Sequence, residues 1–370
     1  MLQDENNSQG HKDTVEPIIP ARKLKTAWLG INARTAGLIE SAAATGLYEI
    51  ISIADSNLAN ANKAAQIYNC TTFDDYRQFI LQNQPDVLVV AEPISRCVEF
   101  VKMAINKKCH ILKLIPTAMN FELAAEIFEL IKKNNVRFVT AAPARFAPGY
   151  ERFADFLRTN NHRDFYFVNI CATFGSDFFQ PIESCAKTQR SSGRGVLLNE
   201  CFELVSLLVE NFAMPTQVYA LLTNQSPDKK AKQYFGEDTV TASLVFRERL
   251  IGTFQAARQT GIGSVAPVRI YGSKQNVIAT PNRLVIYDEN DNVITENKYP
   301  LSAEKCITEM FIDFGRALLE PDKYKMRNGY RLDLATMALI EAAYLSAKTG
   351  MPESPGRFFE ISEKEKFPFV

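Results

Sequence analysis

The stretch Leu24-Lys25-Thr26-Ala27-Trp28-Leu29-Gly30-Ile31-Asn32-Ala33-Arg34, with Tyr48-Glu49-Ile50-Ile51-Ser52-Ile53-Ala54-Asp55 after it, decides the fold. Its first six residues form an apolar strand, Gly30 supplies a turn, and Arg34 to Thr45 reads as a helix. Tyr48 to Ala54 is a second strand that ends on an acid. A dinucleotide-binding unit opens in this way: a tight turn, free N–H groups at a helix start for the pyrophosphate, and a carboxylate about 20 residues on for the ribose hydroxyls. Gly30 and Asp55 fill the first and last roles. Read as G-x-G-x-x-G from Gly30, the phase puts Asn32 and Thr35 at the other two glycine positions. Asn tolerates positive φ, so the turn can form, but its side chain takes space that glycine leaves to a phosphate.

Working outward, a chain of 370 residues with 46% apolar content can bury a large core and divides into two domains. Forty-two basic residues offset forty-two acidic ones, which argues against nucleic-acid or anionic-membrane partners. No apolar run approaches the roughly 18 residues of a membrane span. Residues 1–22 read as a flexible tail without the apolar core of a signal peptide. Seven scattered cysteines without a C-x-x-C pair read as reduced thiols of a cytoplasmic protein. His11, His110 and His162 are too few and too dispersed for a histidine metal site or a Ser-His-Asp triad, so no metal is expected.

Beyond Asp55, helices over Ala59–Tyr68, Asp74–Leu81, Ser95–Asn106 and Asn120–Lys133 alternate with strands Asp86–Ala91, Cys109–Leu114 and Val136–Ala141. This alternation predicts a doubly wound parallel sheet, a Rossmann domain over 23–145, with ligand at the carboxyl ends of its strands. From Pro143 the pattern changes. A helix over Gly149–Arg158 and a strand over Asp164–Phe174 lead into a long polar loop ending at Ser192. A single helix, Val196–Phe212, follows Gly193-Arg194-Gly195. Strands at Thr216–Thr223, Thr239–Phe246, Leu250–Ala257, Pro267–Tyr271, Arg283–Tyr287 and Val293–Thr295 then succeed one another without helices between them. They predict a large, mostly antiparallel sheet in an α+β domain over 146–370, closed by helices Ala303–Leu319 and Leu332–Lys348.

These features together resemble the Gfo/Idh/MocA family of glucose-fructose oxidoreductase-like and inositol dehydrogenase-like proteins, from about residue 24 to about residue 355. The resemblance rests on the Gly30 turn, Asp55, the strand Asp86–Ala91 followed by Pro93, and Pro116. Arg145-Phe146-Ala147-Pro148, the Gly193/Gly195 loop, Glu237-Asp238-Thr239 and Ser346-Ala347-Lys348-Thr349-Gly350 complete it. It implies an NAD(P)-binding domain, a substrate domain built on a broad sheet, and small-molecule substrates such as sugars and cyclitols. The usual Glu-Lys-Pro is Leu114-Ile115-Pro116 here, so the lysine that contacts ribose and a substrate hydroxyl in relatives is replaced by Ile115. The usual aspartate and acid/base histidine correspond to Asn199 and Glu203, and Cys97 stands where many members have histidine.

The expected cofactor-binding set is Gly30, Asn32, Ala33, Arg34, Asp55, Glu92, Pro93 and Pro116. Asp55 would repel a 2′-phosphate, which favours NAD over NADP. Glu203 is the best remaining acid/base, because a desolvated carboxyl titrates closer to neutrality; the alternative is a structural pair with Arg145 or Arg194. A spacing of four would put Asn199 and Glu203 on one helical face, where Asn199 could position a substrate hydroxyl or satisfy nearby backbone. Lys113 alternates with Ile115 and could reach the pocket, or be solvated or paired. Arg145 could bind a substrate carboxylate or phosphate, or form an interdomain ion pair, and Arg194 a ligand or only solvent. Cys97 and Cys201 read as apolar fillers.

Two functions follow. One is an oxidoreductase with a rebuilt acid/base set. The other is a catalytically inactive member that binds a ligand or regulates, favoured by loss of the lysine, aspartate and histidine together. The exposed face of the second sheet is expected to pair with another copy of the chain.

Overall fold

A computed structural model of the chain describes residues 22–31, 35–174, 194–225, 236–247, 250–258, 265–327 and 329–361. Strands β1 (Leu24–Leu29), β2 (Tyr48–Ala54), β3 (Thr71–Phe73), β4 (Val87–Val90), β5 (His110–Leu114) and β6 (Phe138–Ala141) form a six-stranded sheet in the order β3-β2-β1-β4-β5-β6. All of its pairings are parallel. Helices α1 (Thr35–Ala44), α2 (Leu58–Tyr68), α3 (Tyr76–Gln82), α4 (Ile94–Asn106) and α5 (Phe121–Asn134) connect them. Val87 to Val90 are fully buried, as a strand covered on both faces requires. The strand order reverses at β1, which leaves a crevice between the carboxyl ends of β1 and β4.

Strand β3 was not expected. It is a three-residue edge strand, and its residues are exposed or only half buried, so no apolar alternation announces it. Arg22, placed in the tail by the sequence reading, forms an ion pair with Asp86 at 2.8 Å.

The second sheet has eight strands in the order β14-β13-β12-β11-β7-β10-β9-β8. They are β7 (Phe165–Phe174), β8 (Gln217–Thr223), β9 (Thr239–Val245), β10 (Ile251–Arg258), β11 (Val268–Gly272), β12 (Gln275–Thr280), β13 (Arg283–Asp288) and β14 (Val293–Lys298). Only the β7–β10 pair is parallel, so the sheet is largely antiparallel as expected. Strand β12 was missed; its polar start, Gln275-Asn276, hides the Val277 and Ala279 that face the core.

Helix α6 (Pro148–Thr159) packs on the β12–β13 hairpin, with Gly149 N–H donating to the Pro281 carbonyl at 2.9 Å. The expected helix over Val196–Phe212 is two helices, α7 (Val196–Asn199) and α8 (Phe202–Phe212). The chain breaks at Glu200 and Cys201, where Cys201 N–H reaches back to the Val196 carbonyl and Glu200 turns to an ion pair with Arg258 at 2.9 Å.

Helices α9 (Ala303–Leu319), α10 (Tyr330–Thr349) and the short α11 (Arg357–Ile361) end the described chain. They tie the two sheets together. Phe311 of α9 packs on Trp28 and Tyr48, and the Tyr48 hydroxyl donates to the Phe311 carbonyl at 2.6 Å. Tyr330 of α10 sits between Phe128 and Phe138 and donates to the Ala124 carbonyl. Among the described residues no helix is long and apolar enough to cross a membrane.

The contact at Gly149 has no room for a side chain: a Cβ there would lie 1.9 Å from the Thr280 carbonyl oxygen, which is backbone and cannot swing away. Gly149→Ala is therefore expected to lower unfolding free energy by about 3 kcal/mol. A urea titration with unchanged slope and an unchanged midpoint would contradict this.

Candidate functional site

At the crevice, Gly30 follows β1 with φ of +88°, the left-handed region that glycine enters without cost, and its N–H donates to the Ala54 carbonyl at 2.8 Å. Asp55 follows β2 and is 5% exposed. One of its carboxylate oxygens accepts the Ile31 N–H and the other the Asn57 N–H, both at 2.6 Å, so the acid is fixed against the β1 turn. Asn57 then caps α2. Glu92 follows β4 and packs directly on Gly30: a Cβ there would lie 2.8 Å from the Glu92 Cγ. Pro93 precedes α4, and its carbonyl accepts the Cys97 thiol at 3.3 Å. The Cys97 thiol is pushed up to about 12 by burial, so it is an inert filler. The expected cofactor residues Asn32, Ala33 and Arg34 lie outside the described residues.

Lys113 is 1% exposed, and its ammonium donates to the Leu114 carbonyl at 2.6 Å. It is thus neither solvated nor free to swing to substrate. Strand β5 ends at Leu114, so the alternation that would align Lys113 with Ile115 does not reach Ile115, which packs half-buried against the core. Ile115 precedes Pro116 through a cis peptide.

Between the two sheets lies a buried polar junction. The 3₁₀ turn Pro143–Phe146 presents the Ala144 N–H to Glu203 of α8 at 2.7 Å. Glu203 is 8% exposed, and burial pushes its carboxyl up to about 7 against the opposing pull of that N–H and of Arg145. The Arg145 guanidinium bonds to Ser206, which bonds to Thr336 at 3.0 Å, and lies 3.5 Å from Glu210. Arg145 therefore bridges elements inside the fold. Asp333 of α10, 2% exposed, accepts the Thr140 N–H at 3.1 Å, and the Thr140 hydroxyl meets that of Thr117 at 2.6 Å. Burial pushes Asp333 up to about 6.

The third cluster holds the turn before α7. Glu237 accepts the Gly195 N–H at 2.8 Å and the Leu197 N–H at 2.9 Å, and also the Tyr344 hydroxyl at 2.7 Å. These bonds satisfy donors that a helix start leaves open. A Cβ on Gly195 would lie 1.8 Å from the Glu237 carbonyl oxygen, so only glycine permits this approach. Arg194 is not a solvated loop residue: it pairs with Glu341 at 2.6 Å and stacks over Tyr344 at 4.1 Å. Asn199 donates to the Arg194 carbonyl at 3.2 Å and to the Gly195 carbonyl at 3.0 Å. Because the chain breaks after α7, Asn199 and Glu203 sit on separate helices and share no helical face.

Sequence reasoning gave no role to Glu237, Tyr344, Thr140 or Asp333. The signal for Asp333 is a lone acid on the buried face of α10. For Glu237 it is an acid beside Asp238 at a strand entry. Among the described residues no group of three His, Cys, Asp or Glu side chains could hold a metal ion.

Comparison with known proteins bears on the fold. Residues 25–142 match the model of an oxidoreductase family with an NAD-binding Rossmann fold, GFO_IDH_MocA. D-glucoside 3-dehydrogenase of Escherichia coli strain K12 is 33% identical over 86 residues, 23% of this chain and 24% of that protein, so less than two thirds of its length is spanned. Among solved structures, levoglucosan dehydrogenase in complex with NADH and levoglucosan superposes with a TM-score of 0.80 at 15% identity, covering 90% of this chain and 99% of its own. A putative myo-inositol dehydrogenase from Sinorhizobium meliloti 1021 gives 0.73 at 16% identity over 90% and 99%. These likenesses show a shared fold.

The raised carboxyl of Glu203 carries a stability consequence. Its contribution is fully present below its ordinary value of 4.5 and is lost as pH rises through about 7, where the buried group ionises. Glu203→Gln keeps an acceptor for Ala144 and removes that charge. It is expected to match the wild type at pH 4 and to exceed it by roughly 3 kcal/mol at pH 8. Identical denaturation curves at both pH values would refute the buried ionisation.

Proposed function

We propose, on the premise that the chain belongs to the Gfo/Idh/MocA family of oxidoreductases, that it is an NAD-dependent oxidoreductase of a sugar, cyclitol or related polyol with a rebuilt acid/base set. The observation that carries this reading is Glu203, a buried acid held at the junction of the two sheets with its carboxyl at about 7. A group so placed can take a hydroxyl proton or return it at physiological pH. Gly30 and Asp55 fit the cofactor: the glycine makes the tight turn after β1, and the fixed carboxylate suits ribose hydroxyls and opposes a 2′-phosphate. NAD, when bound, supplies the hydride acceptor for oxidation of a secondary alcohol. Glu203 accepts the alcohol proton, its burial limits competition from water, and Asn199 offers its amide oxygen to a substrate hydroxyl. Arg145 and Arg194 act through the elements they bridge, and Lys113 holds the end of β5. On this reading the chain divides at about 145, with the nucleotide half before the junction and the substrate half after it. Six cysteines among the described residues are free thiols, which fits a reducing, cytoplasmic setting.

One observation favours the non-catalytic alternative. Glu203 already accepts a main-chain N–H, Asn199 already donates to two carbonyls, and Ile115 has no polar group to give. One experiment separates the readings: turnover of the full chain with NAD and a panel of sugars and cyclitols, against Glu203→Gln. The enzyme reading expects a rate that rises with pH through about 7, because the base must be ionised, and a loss of roughly tenfold or more in the variant with NADH affinity unchanged. NADH binding without turnover, together with turnover gained by Ile115→Lys, supports the binding-protein reading instead.

The open face of the second sheet supports self-association. Register places Val245, Ile251, Phe167 and Tyr271 in one cross-strand row, with Leu221 in another; Ile251 is 52% and Leu221 59% exposed. A charge at the centre of such a face disfavours its burial. Light scattering is expected to give a multiple of the 41.6 kDa chain, falling to the single chain in Ile251→Lys. A wild type already at the single-chain mass would remove this part of the reading.

A further inference from the structure

Glu92 stands out among the acids at the crevice. Asp55 is bonded to main-chain N–H groups through both oxygens. Glu92 is 8% exposed, yet its Oε2 is shielded from solvent and has no hydrogen-bond partner among the described residues. Buried carboxylate oxygens normally find a donor, so an open one asks what donor it awaits. The Tyr76 hydroxyl accepts the Ser56 N–H at 3.1 Å, in the turn that follows Asp55. Asp55 and Glu92 follow the strands on either side of β1 and so border one space.

Strand order fixes where that space is. Asp55 leaves β2, Gly30 leaves β1 and Glu92 leaves β4, three adjacent strands with their carboxyl ends together. The Ala91 and Glu92 N–H groups both donate to the Leu29 carbonyl, at 2.8 and 3.2 Å, which seats Glu92 against the end of β1. Gly30 lies between the acids, and its missing side chain is what lets Glu92 close in. Glu92 lies on Gly30 from the β4 side, and Asp55 is anchored to the Ile31 N–H that follows Gly30.

We propose that Glu92 is a second ribose-binding carboxylate of the nucleotide site, acting with Asp55 to select a free 2′,3′-diol over a 2′-phosphate. This rests on the NAD reading given above. A diol carries two O–H donors, matching the open oxygen of Glu92 and the remaining acceptor capacity of Asp55. A phosphate ester brings only acceptors and negative charge, which two facing carboxylates repel. Burial raises the Glu92 carboxyl, and the nearby charge of Asp55 adds to this, while Tyr76, Arg96 and Lys113 oppose the rise. A donor from ribose would act in the same direction as those three groups.

The test is calorimetric titration of the purified full chain, wild type and Glu92→Gln, with NADH and with NADPH. Wild type is expected to prefer NADH. Glu92→Gln is expected to weaken NADH binding by about threefold to tenfold and to narrow the preference by about tenfold or more. A preference that stays the same in the variant, with NADH still bound, overturns the role of Glu92 and leaves the NAD reading standing. Equal tightening of both nucleotides also overturns it, since the acid would then oppose the pyrophosphate common to both. Failure of the wild type to bind either nucleotide overturns the NAD reading itself, and this proposal with it. Thermal unfolding checks the variant's fold, and Glu92→Ser, which removes the same charge with less bulk, carries the same expectations if the glutamine variant does not fold.

Discussion

A carboxylate removed from water calls for donors, and for Asp55, Glu203, Glu237 and Asp333 those donors include main-chain N–H groups. Asp55 holds Ile31 and Asn57, Glu203 holds Ala144, Glu237 holds Gly195 and Leu197, and Asp333 holds Thr140. Each bond offsets the cost of burying a charge; those of Asp55, Glu203 and Glu237 also fix a turn that regular secondary structure leaves open, and that of Asp333 satisfies an N–H on the edge strand β6. The sheets supply rigid edges. The acids decide how the connections between them are set, and the polar junction between the domains is assembled from these connections.

Much of the first domain was legible because parallel strands buried on both faces are nearly continuous apolar runs, and Val87 to Val90 could hardly be anything else. Strand β3 was not legible, since an exposed edge imposes no alternation. The break at Glu200 and Cys201 was hidden for another reason. Nothing local in the sequence marks the break, and at it Glu200 is paired with Arg258, distant in sequence. A spacing argument across that break therefore failed for Asn199 and Glu203, although each residue by itself invited attention.

The candidate site divides along the same line. Gly30 and Asp55 were legible because turn chemistry and strand ends are local. Glu237 and Asp333 were not, because their partners come from distant parts of the chain and no spacing rule connects them. The arginines show the converse. Arg145 was open to a ligand or an ion pair and Arg194 to a ligand or solvent, and the fold supplies each with partners, Ser206 and Glu210 for one and Glu341 and Tyr344 for the other. A guanidinium with five donors is as well suited to joining elements as to holding an anion.

The parallel pairing of β7 with β10 has a consequence for how the second domain is assembled. Strands β9 and β10 pair across a short connection, as do successive members of the run β11 to β14, so those antiparallel ribbons form from local chain. Strand β7 sits between the two groups, and its pairing with β10 must await closure of the whole segment from Phe174 to Ile251. Loop entropy therefore falls on one central strand, which makes β7 the keystone that joins the two groups into one sheet.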